Sequence, residues 1–188
     1  MTYSIPFAGL WLAWTISWVV AARWATRAEA RPPVRAEWHW LLVVAGAVLF
    51  GLNFSTGQRG VEWMGFDTKE QVLFVLALAG LAFTWWARIH LGTLWSGTVT
   101  RKEHHKVIKT GPYAIVRHPI YTGISVALLA TALLRPGWLG LAGAALIIVS
   151  FVVKYRLEER FLMEKLGPEY AAYRKKLPAL VPFFTGRG

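Results

Sequence analysis

The sequence predicts an all-α integral membrane protein with about five transmembrane helices. Hydrophobic residues make up 55% of the 188-residue chain, charged residues only 16%, and the mean hydropathy is +0.40. This composition is too apolar for a soluble domain of that length. Five apolar runs that contain no acidic side chain give the helix count: Ile5–Ala22, Trp38–Phe54, Val72–Ile89, Ile120–Leu134 and Trp138–Val153.

The lengths of these runs predict how they are arranged. The first three are close to the roughly 17 to 25 residues that cross a bilayer core, whereas the last two are shorter and only residues 135–137 separate them. We therefore expect the last two runs to form a short helical hairpin. A cleaved signal peptide is the alternative for the first run, but no basic segment precedes it. The whole chain is expected to form one domain, with three helices in residues 1–90 and a functional core in residues 91–188.

Basic residues predict the orientation in the membrane. The chain has 21 Lys and Arg against 10 Asp and Glu, and 18 of the 21 lie in residues 23–35, 88–117 and 154–188. Lys and Arg are retained preferentially on the cytoplasmic side. We therefore expect the amino terminus outside and the carboxyl terminus in the cytoplasm, in a prokaryotic inner membrane. This charge bias favours contact with anionic membrane lipids, and no basic face of a soluble domain predicts nucleic-acid binding.

Two polar clusters flank the predicted hairpin on its cytoplasmic side. Arg117 and His118 stand just before Pro119, which suits the first turn of a helix because proline lacks an N–H group. They could instead simply contact lipid headgroups at the end of a span. With no cysteine in the chain and no histidines at a helical metal-ligand spacing, neither a thiolate nucleophile nor a metal site is predicted.

The second cluster follows the last apolar run. Helical periodicity places Glu159 on one stripe with apolar residues, whereas Glu158 falls nearer the edge, where it could be a solvated charge. A carboxylate on an apolar face needs a cation, and the candidates are Arg156, Arg117 or the positive centre of a ligand. The helix should break at residues 167–168. Residues 170 and 173 should then share a face of a second short helix, and residues 177–182 should run extended.

The motifs from residue 91 onward resemble the isoprenylcysteine carboxyl methyltransferase family, in its short bacterial and archaeal form. They extend over about half of the chain and occur in this order: Leu91–Ser96, His105-x-Val107-Ile108, Gly111-Pro112-Tyr113, Arg117-His118-Pro119-x-Tyr121-x-Gly123, Glu158-Glu159-x-x-Leu162, Gly167-x-x-Tyr170-x-x-Tyr173 and Leu177-Pro178 with Pro182.

The resemblance implies S-adenosylmethionine as the cofactor, bound by the cytoplasmic loop and the carboxyl-terminal helix. The positions within the family's cofactor-binding motifs are His105, Gly111, Tyr113, His118, Tyr121 and Glu159. Arg117, Arg156 and Glu158 fall on the methyl-acceptor side and are the expected catalytic residues. The implied acceptor is a carboxylate of the isoprenylcysteine kind or another small amphiphilic or lipid-like molecule, with a phospholipid or a thiol as alternatives.

Two other functions compete with methyl transfer. Some membrane reductases that use NADPH on sterols or lipids have a similar histidine-proline motif, but this chain has Ile120 and Ile124 where those carry asparagine and an acidic residue. A lipid-binding protein without catalysis would explain the basic loops and the aromatic residues near the helix ends. It would not explain a carboxylate at position 159.

Overall fold

The computed structural model describes residues 4–24, 38–55, 67–92, 107–134 and 137–183, and these are helical apart from short turns and loops. Two single 3-10 turns cover Ala22–Trp24 and Gly111–Ala114. The five helices are α1 (Ser4–Ala21), α2 (Trp40–Ser55), α3 (Thr68–Leu91), α4 (Pro119–Leu134) and α5 (Trp138–Lys176). All five helices of the described residues lie at the predicted apolar runs, so the all-helical fold class is confirmed.

Successive helices run in opposite directions. The carboxyl end of α3 meets that of α1, where Arg88 Nη2 donates to the Ala21 carbonyl oxygen at 2.5 Å. The start of α2 meets the middle of α5, where Ser150 Oγ donates to the His39 carbonyl oxygen at 2.9 Å. The bundle therefore gathers the ends of α1 and α3, the starts of α2 and α4 and the polar half of α5 on one side, which we call the polar end.

Glycine pairs bring the helices into close contact in two places. A Cβ atom on Gly123 of α4 would lie 2.4 Å from the Gly80 carbonyl oxygen of α3, and one on Gly46 of α2 would lie 2.6 Å from the Gly143 carbonyl oxygen of α5. No side chain fits at such distances, so glycine permits these crossings. The helices accordingly pack mainly as two pairs, α3 with α4 and α2 with α5.

The last two helices follow each other closely in the chain and contact each other, but α5 is longer than the predicted apolar run. Helix α5 has 39 residues and continues from the apolar run through the polar tail, bending at Gly167, where φ is +50°. It packs less on α4 than on α2. The apolar run of residues 138–153 is therefore only the first part of one long helix. Its bend occurs at the predicted break, since the positive φ favours glycine and Pro168 lacks an N–H group.

By length and composition, α3 and α5 are the two described helices that could cross a membrane, while α1, α2 and α4 are shorter apolar helices. Large apolar side chains are exposed on the outer faces of all five. Tryptophans of α1 instead contact the interior: Trp11 Nε1 donates to Thr131 Oγ1 at 3.0 Å and Trp14 Nε1 to Thr84 Oγ1 at 2.8 Å. These hydrogen bonds position α1 against α3 and α4.

Candidate functional site

A buried ionic cluster lies at the polar end, between the start of α4 and the second half of α5. Glu159 on α5 is only 4% exposed, although it is ionisable. Its Oε1 accepts hydrogen bonds from Arg117 Nε at 2.7 Å and from His118 Nε2 at 3.0 Å, and Oε2 lies 3.2 Å from Arg174 Nε. These contacts offset the desolvation of a buried carboxylate, which would be costly if it were unpaired.

The pKa of Glu159 reflects both burial and pairing. Burial by itself would raise this pKa, but the hydrogen bonds and charges of His118 and Arg117 outweigh it and hold the pKa below its ordinary value. Glu159 is therefore an anion at neutral pH, and it faces two guanidinium groups. This carboxylate is largely neutralised within the protein.

Glu158 has a different environment on the neighbouring position of α5. Its Oε1 accepts a hydrogen bond from the Tyr121 hydroxyl at 2.8 Å, and its Oε2 lies 3.8 Å from His118 Nδ1. The alternative that it is simply a solvated charge is wrong, since only 22% of its side chain is exposed. In contrast to Glu159, the contacts found for Glu158 in the described ranges include no arginine.

Aromatic rings border this pair of carboxylates. The His118 ring stacks on Tyr155 with centroids 5.0 Å apart and lies 5.8 Å from the Tyr121 ring. The other side of the cluster is apolar, because the Tyr121 ring stacks on Phe151 at 5.1 Å. Stacked rings next to an anion form a suitable environment for a cation, which is attracted both to the carboxylate and to the ring faces.

The tail after α5 attaches to the residues before α4. The backbone N–H of Arg117 donates to the Pro178 carbonyl oxygen at 2.9 Å, and that of His118 to the Ala179 carbonyl oxygen at 3.0 Å. Arg117 Nη1 donates to the Arg174 carbonyl oxygen at 3.0 Å and also to the Leu177 carbonyl oxygen. Arg117 thus connects Glu159, the end of α5 and the tail, and all its described contacts are within the protein.

Two buried tyrosines fasten the second part of α5 to the loop that precedes α4. The Tyr173 hydroxyl donates to the Tyr113 carbonyl oxygen at 2.7 Å, and burial raises the pKa of Tyr173 to about 12. Burial also raises the pKa of Tyr113 and of Tyr170 well above 10. All three hydroxyls therefore remain protonated at neutral pH, and that of Tyr173 donates to the loop.

Gly111 lies beneath a histidine at the end of α3. Its φ is +58°, which favours glycine, and a Cβ atom there would require the His90 ring to move. His90 Nδ1 lies 3.0 Å from the Trp86 carbonyl oxygen. The Gly111–Ala114 turn thus contacts α3 as well as the second part of α5.

The structure brings together most of the residues singled out in the sequence, but not all of them. The described members of the cluster and its support are Gly111, Tyr113, Arg117, His118, Tyr121, Glu158 and Glu159. Of the candidate cations for Glu159, Arg117 is the one that pairs with it, whereas Arg156 is exposed. His105 lies outside the described residues.

Sequence reasoning missed Arg174 and Tyr155 as members of the site. Tyr155 shares the helical stripe of Glu159, so its spacing was a usable signal. Arg174 follows the bend at Gly167, and helical periodicity cannot be continued through a bend of unknown angle. Among the described residues, no group of three or more His, Cys, Asp or Glu side chains is arranged to hold a metal ion.

Comparisons with known proteins show which family the chain is similar to. Residues 72–164 match the sequence model described as the isoprenylcysteine carboxyl methyltransferase (ICMT) family. Protein-S-isoprenylcysteine O-methyltransferase B of Arabidopsis thaliana is 30% identical over 86 residues, 45% of this chain and 44% of that protein. Methanethiol S-methyltransferase 2 of Bradyrhizobium diazoefficiens is 40% identical over 77 residues, 40% of this chain and 28% of that protein.

A third relative covers more of the chain. The cobalt-zinc-cadmium resistance protein CzcN of Cupriavidus metallidurans is 26% identical over 148 residues, which is 76% of this chain and 62% of that protein. The chain thus spans less than two thirds of the length of each of these three relatives. The matched family region includes the α4 start and both carboxylates of the ionic cluster.

Proposed function

This chain belongs to the isoprenylcysteine carboxyl methyltransferase family, and on that premise we propose that it transfers a methyl group from S-adenosylmethionine to a small amphiphilic or lipid-like acceptor. The observation that carries the proposal is the environment of Glu158. This partly buried carboxylate lies beside stacked aromatic rings, and its described contacts include no arginine. Such a place favours a cationic ligand.

The residues present fit the cofactor that the family implies. S-adenosylmethionine supplies an electrophilic methyl group on a positively charged sulfonium. Glu158, which the Tyr121 hydroxyl positions by a hydrogen bond, offers a negative charge to that cation, and the Tyr155 ring can add cation–π attraction. Tyr113 and Gly111 belong to the loop that contacts α3 and the second part of α5. We assign this loop and His118 to the cofactor side of the site, and the family resemblance implies the same role for His105.

Glu159 and Arg117 have a positioning role in this proposal. Glu159 is matched by Arg117, His118 and Arg174, so its charge serves chiefly to hold the tail against the start of α4. Arg117 likewise uses its donors on Glu159 and on tail carbonyls. We propose this positioning role for Arg117 in place of the catalytic role on the acceptor side that the family resemblance implies. Arg156 is left without a proposed catalytic role because it is exposed.

The reaction requires little proton chemistry from the protein. A lone pair of the acceptor attacks the methyl carbon as the carbon–sulfur bond breaks, and the electron pair of that bond remains on the sulfur. A carboxylate acceptor is already ionised at neutral pH and needs no base, whereas a thiol must lose its proton. The protein's contribution is to hold donor and acceptor in line and to exclude water.

We further propose that the bundle is embedded in a membrane with the polar end on the cytoplasmic side. The exposed apolar side chains on the outer helix faces and the two long apolar helices support embedding. The basic segments beside α3, α4 and α5 support the orientation, because Lys and Arg are retained on the cytoplasmic side. A lipid-like acceptor would then enter from the bilayer, and a prokaryotic inner membrane remains the expected location.

The experiment that tests the proposal is methyl transfer by detergent-purified protein. Radiolabelled S-adenosylmethionine is supplied with dodecyl amphiphiles that end in a carboxylate, a thiol or an amine, and label in the organic phase is counted. Transfer to at least one acceptor is expected. Binding and oxidation of NADPH, with no binding of S-adenosylmethionine, would instead identify a reductase.

A further inference from the structure

Lys154 is a buried lysine on α5 that the proposed function does not yet use. It is only 9% exposed and precedes Glu158 by one helical turn. Its ammonium nitrogen lies 5.8 Å from the centroid of the Trp40 ring on α2 and 5.7 Å from that of the Tyr121 ring on α4. Cation–π contact with two rings offsets part of the cost of burying this charge.

Its position is the border between the apolar bundle and the ionic cluster. Because α2 packs with α5 and α3 with α4, the two pairs meet along a seam, and Lys154 contacts a ring from each pair. On the apolar side of Lys154, Phe151 stacks on Tyr121. On the polar side, the same tyrosine donates its hydroxyl hydrogen to Glu158. Lys154 therefore lies between the apolar part of the bundle and the carboxylates.

The charges along α5 alternate in a way that suits one reaction. Glu159 is matched by arginines, whereas Glu158 offers its charge to a cation. Lys154 offers the opposite charge about 6 Å away along the helix axis, the rise of four residues. One turn of helix therefore presents an anion to a positively charged methyl donor and a cation to whatever accepts the methyl group.

We propose that Lys154 is a specificity-determining residue that holds the anionic form of the acceptor nucleophile, a carboxylate or a thiolate, at the inner end of the seam. The inference rests on the proposed function and makes its acceptor more specific. A protonated amine would be repelled by the Lys154 ammonium. When the acceptor oxygen or sulfur forms its bond to the methyl carbon, the carbon–sulfur bond breaks with its electron pair on sulfur. The negative acceptor and the positive donor both become neutral. The attraction that held the acceptor at Lys154 is therefore absent from the product.

The test compares matched probes on detergent-purified protein by calorimetry. N-acetyl-S-dodecyl-cysteine is compared with its carboxamide, and dodecanethiol with its methyl thioether, first on wild type and then on Lys154→Met, Lys154→Arg and Arg160→Met. Wild type should bind the ionisable member of at least one pair tenfold or more tightly than the neutral member. Lys154→Met should bind both members within twofold, while Lys154→Arg and the exposed control Arg160→Met should keep the preference. The acid pair and the thiol pair distinguish a carboxylate from a thiolate acceptor.

A cofactor titration separates this inference from the proposed function. S-adenosylhomocysteine should bind wild type and Lys154→Met with dissociation constants within twofold of each other. For a probe that the enzyme methylates, KM should rise at least tenfold in Lys154→Met, and kcat should change much less. If S-adenosylhomocysteine fails to bind wild type, the proposed function fails, while the probe pairs still judge Lys154. Wild type that does not discriminate within either pair, or Lys154→Met that still discriminates, overturns the inference.

Discussion

Replacement of Glu159 by glutamine should release the tail from the start of α4. The substitution keeps the shape of the side chain but removes the charge that faces Arg117 and Arg174. Breaking a buried ion pair by removing one partner typically costs about 3–5 kcal/mol. Arg174 is half exposed, and Arg117 retains its carbonyl acceptors, so we expect a smaller loss than for a fully buried pair, about 2–3 kcal/mol.

Amide hydrogen exchange measures this opening directly. The N–H groups of Arg117 and His118 donate to tail carbonyls and exchange when the tail detaches. A loss of about 2–3 kcal/mol corresponds to exchange roughly 30- to 150-fold faster, since 1.4 kcal/mol is tenfold. The matched control is Lys109→Met, which removes an exposed ion pair between the loop before α4 and Glu169 on the second part of α5. Exposed pairs contribute about 0–1 kcal/mol, so this control should change exchange less than about fivefold. Exchange within threefold of wild type in Glu159→Gln would refute the reasoning.

The same protection should depend on pH in a defined direction. Because the pKa of Glu159 is lowered in the folded protein, its stabilisation is fully present above the ordinary carboxyl pKa of about 4.3. It is lost as the pH falls through the lower, folded value. After correction for intrinsic exchange, protection of the Arg117 and His118 amides should be constant from neutral pH to about 5 and should decline below about 4. In Glu159→Gln, these two amides should be weakly protected at every pH. If their protection declined with falling pH as much in this variant as in wild type, the assignment to Glu159 would be contradicted.

Two further substitutions test the packing around the site. Gly123→Ala places a methyl group 2.4 Å from the Gly80 carbonyl oxygen and should lower stability in detergent by about 1–3 kcal/mol. The control is Gly9→Ala, which should not lower stability because nothing lies within 4 Å of the added methyl group. Equal losses in the two variants would argue against the close crossing of α3 and α4. Tyr173→Phe removes the hydrogen bond to the buried Tyr113 carbonyl oxygen and should lower the free energy of unfolding by about 1–3 kcal/mol, measured through the shift in melting temperature. An unchanged melting temperature would show that this bond does not hold the loop.

Much of the fold was predictable because apolar runs and helix lengths are local properties of a sequence. The five helices, the start of α4 at Pro119 and the bend at Gly167 all follow from such local rules. The pairing of helices was not predictable, since it depends on glycines from distant segments that meet only in the folded bundle. Adjacency in sequence suggested contact between α4 and α5, which is present, but the more extensive contacts lie where Gly123 meets Gly80 and Gly143 meets Gly46.

The candidate site shows the same division. Helical phase identified Glu159 as a buried carboxylate, and the motif around Arg117 and His118 lies where it contacts that carboxylate. The choice between Arg117 and Arg156 as its partner could not be made from spacing, because a distant residue delivered by the fold competes with one a turn away. Arg174 was missed for a similar reason, since the bend at Gly167 removes the phase relation between the two parts of α5.

The central claim is that the region around Glu158 binds the cationic methyl donor, and a calorimetric titration tests it most directly. S-adenosylmethionine and its uncharged thioether product, S-adenosylhomocysteine, are titrated into wild type, Glu158→Gln and the exposed control Glu164→Gln. We predict that Glu158→Gln weakens S-adenosylmethionine binding at least tenfold and weakens it more than it weakens product binding, while Glu164→Gln changes neither beyond twofold. Wild type that binds neither ligand, or Glu158→Gln that binds S-adenosylmethionine as tightly as wild type does, would contradict the account.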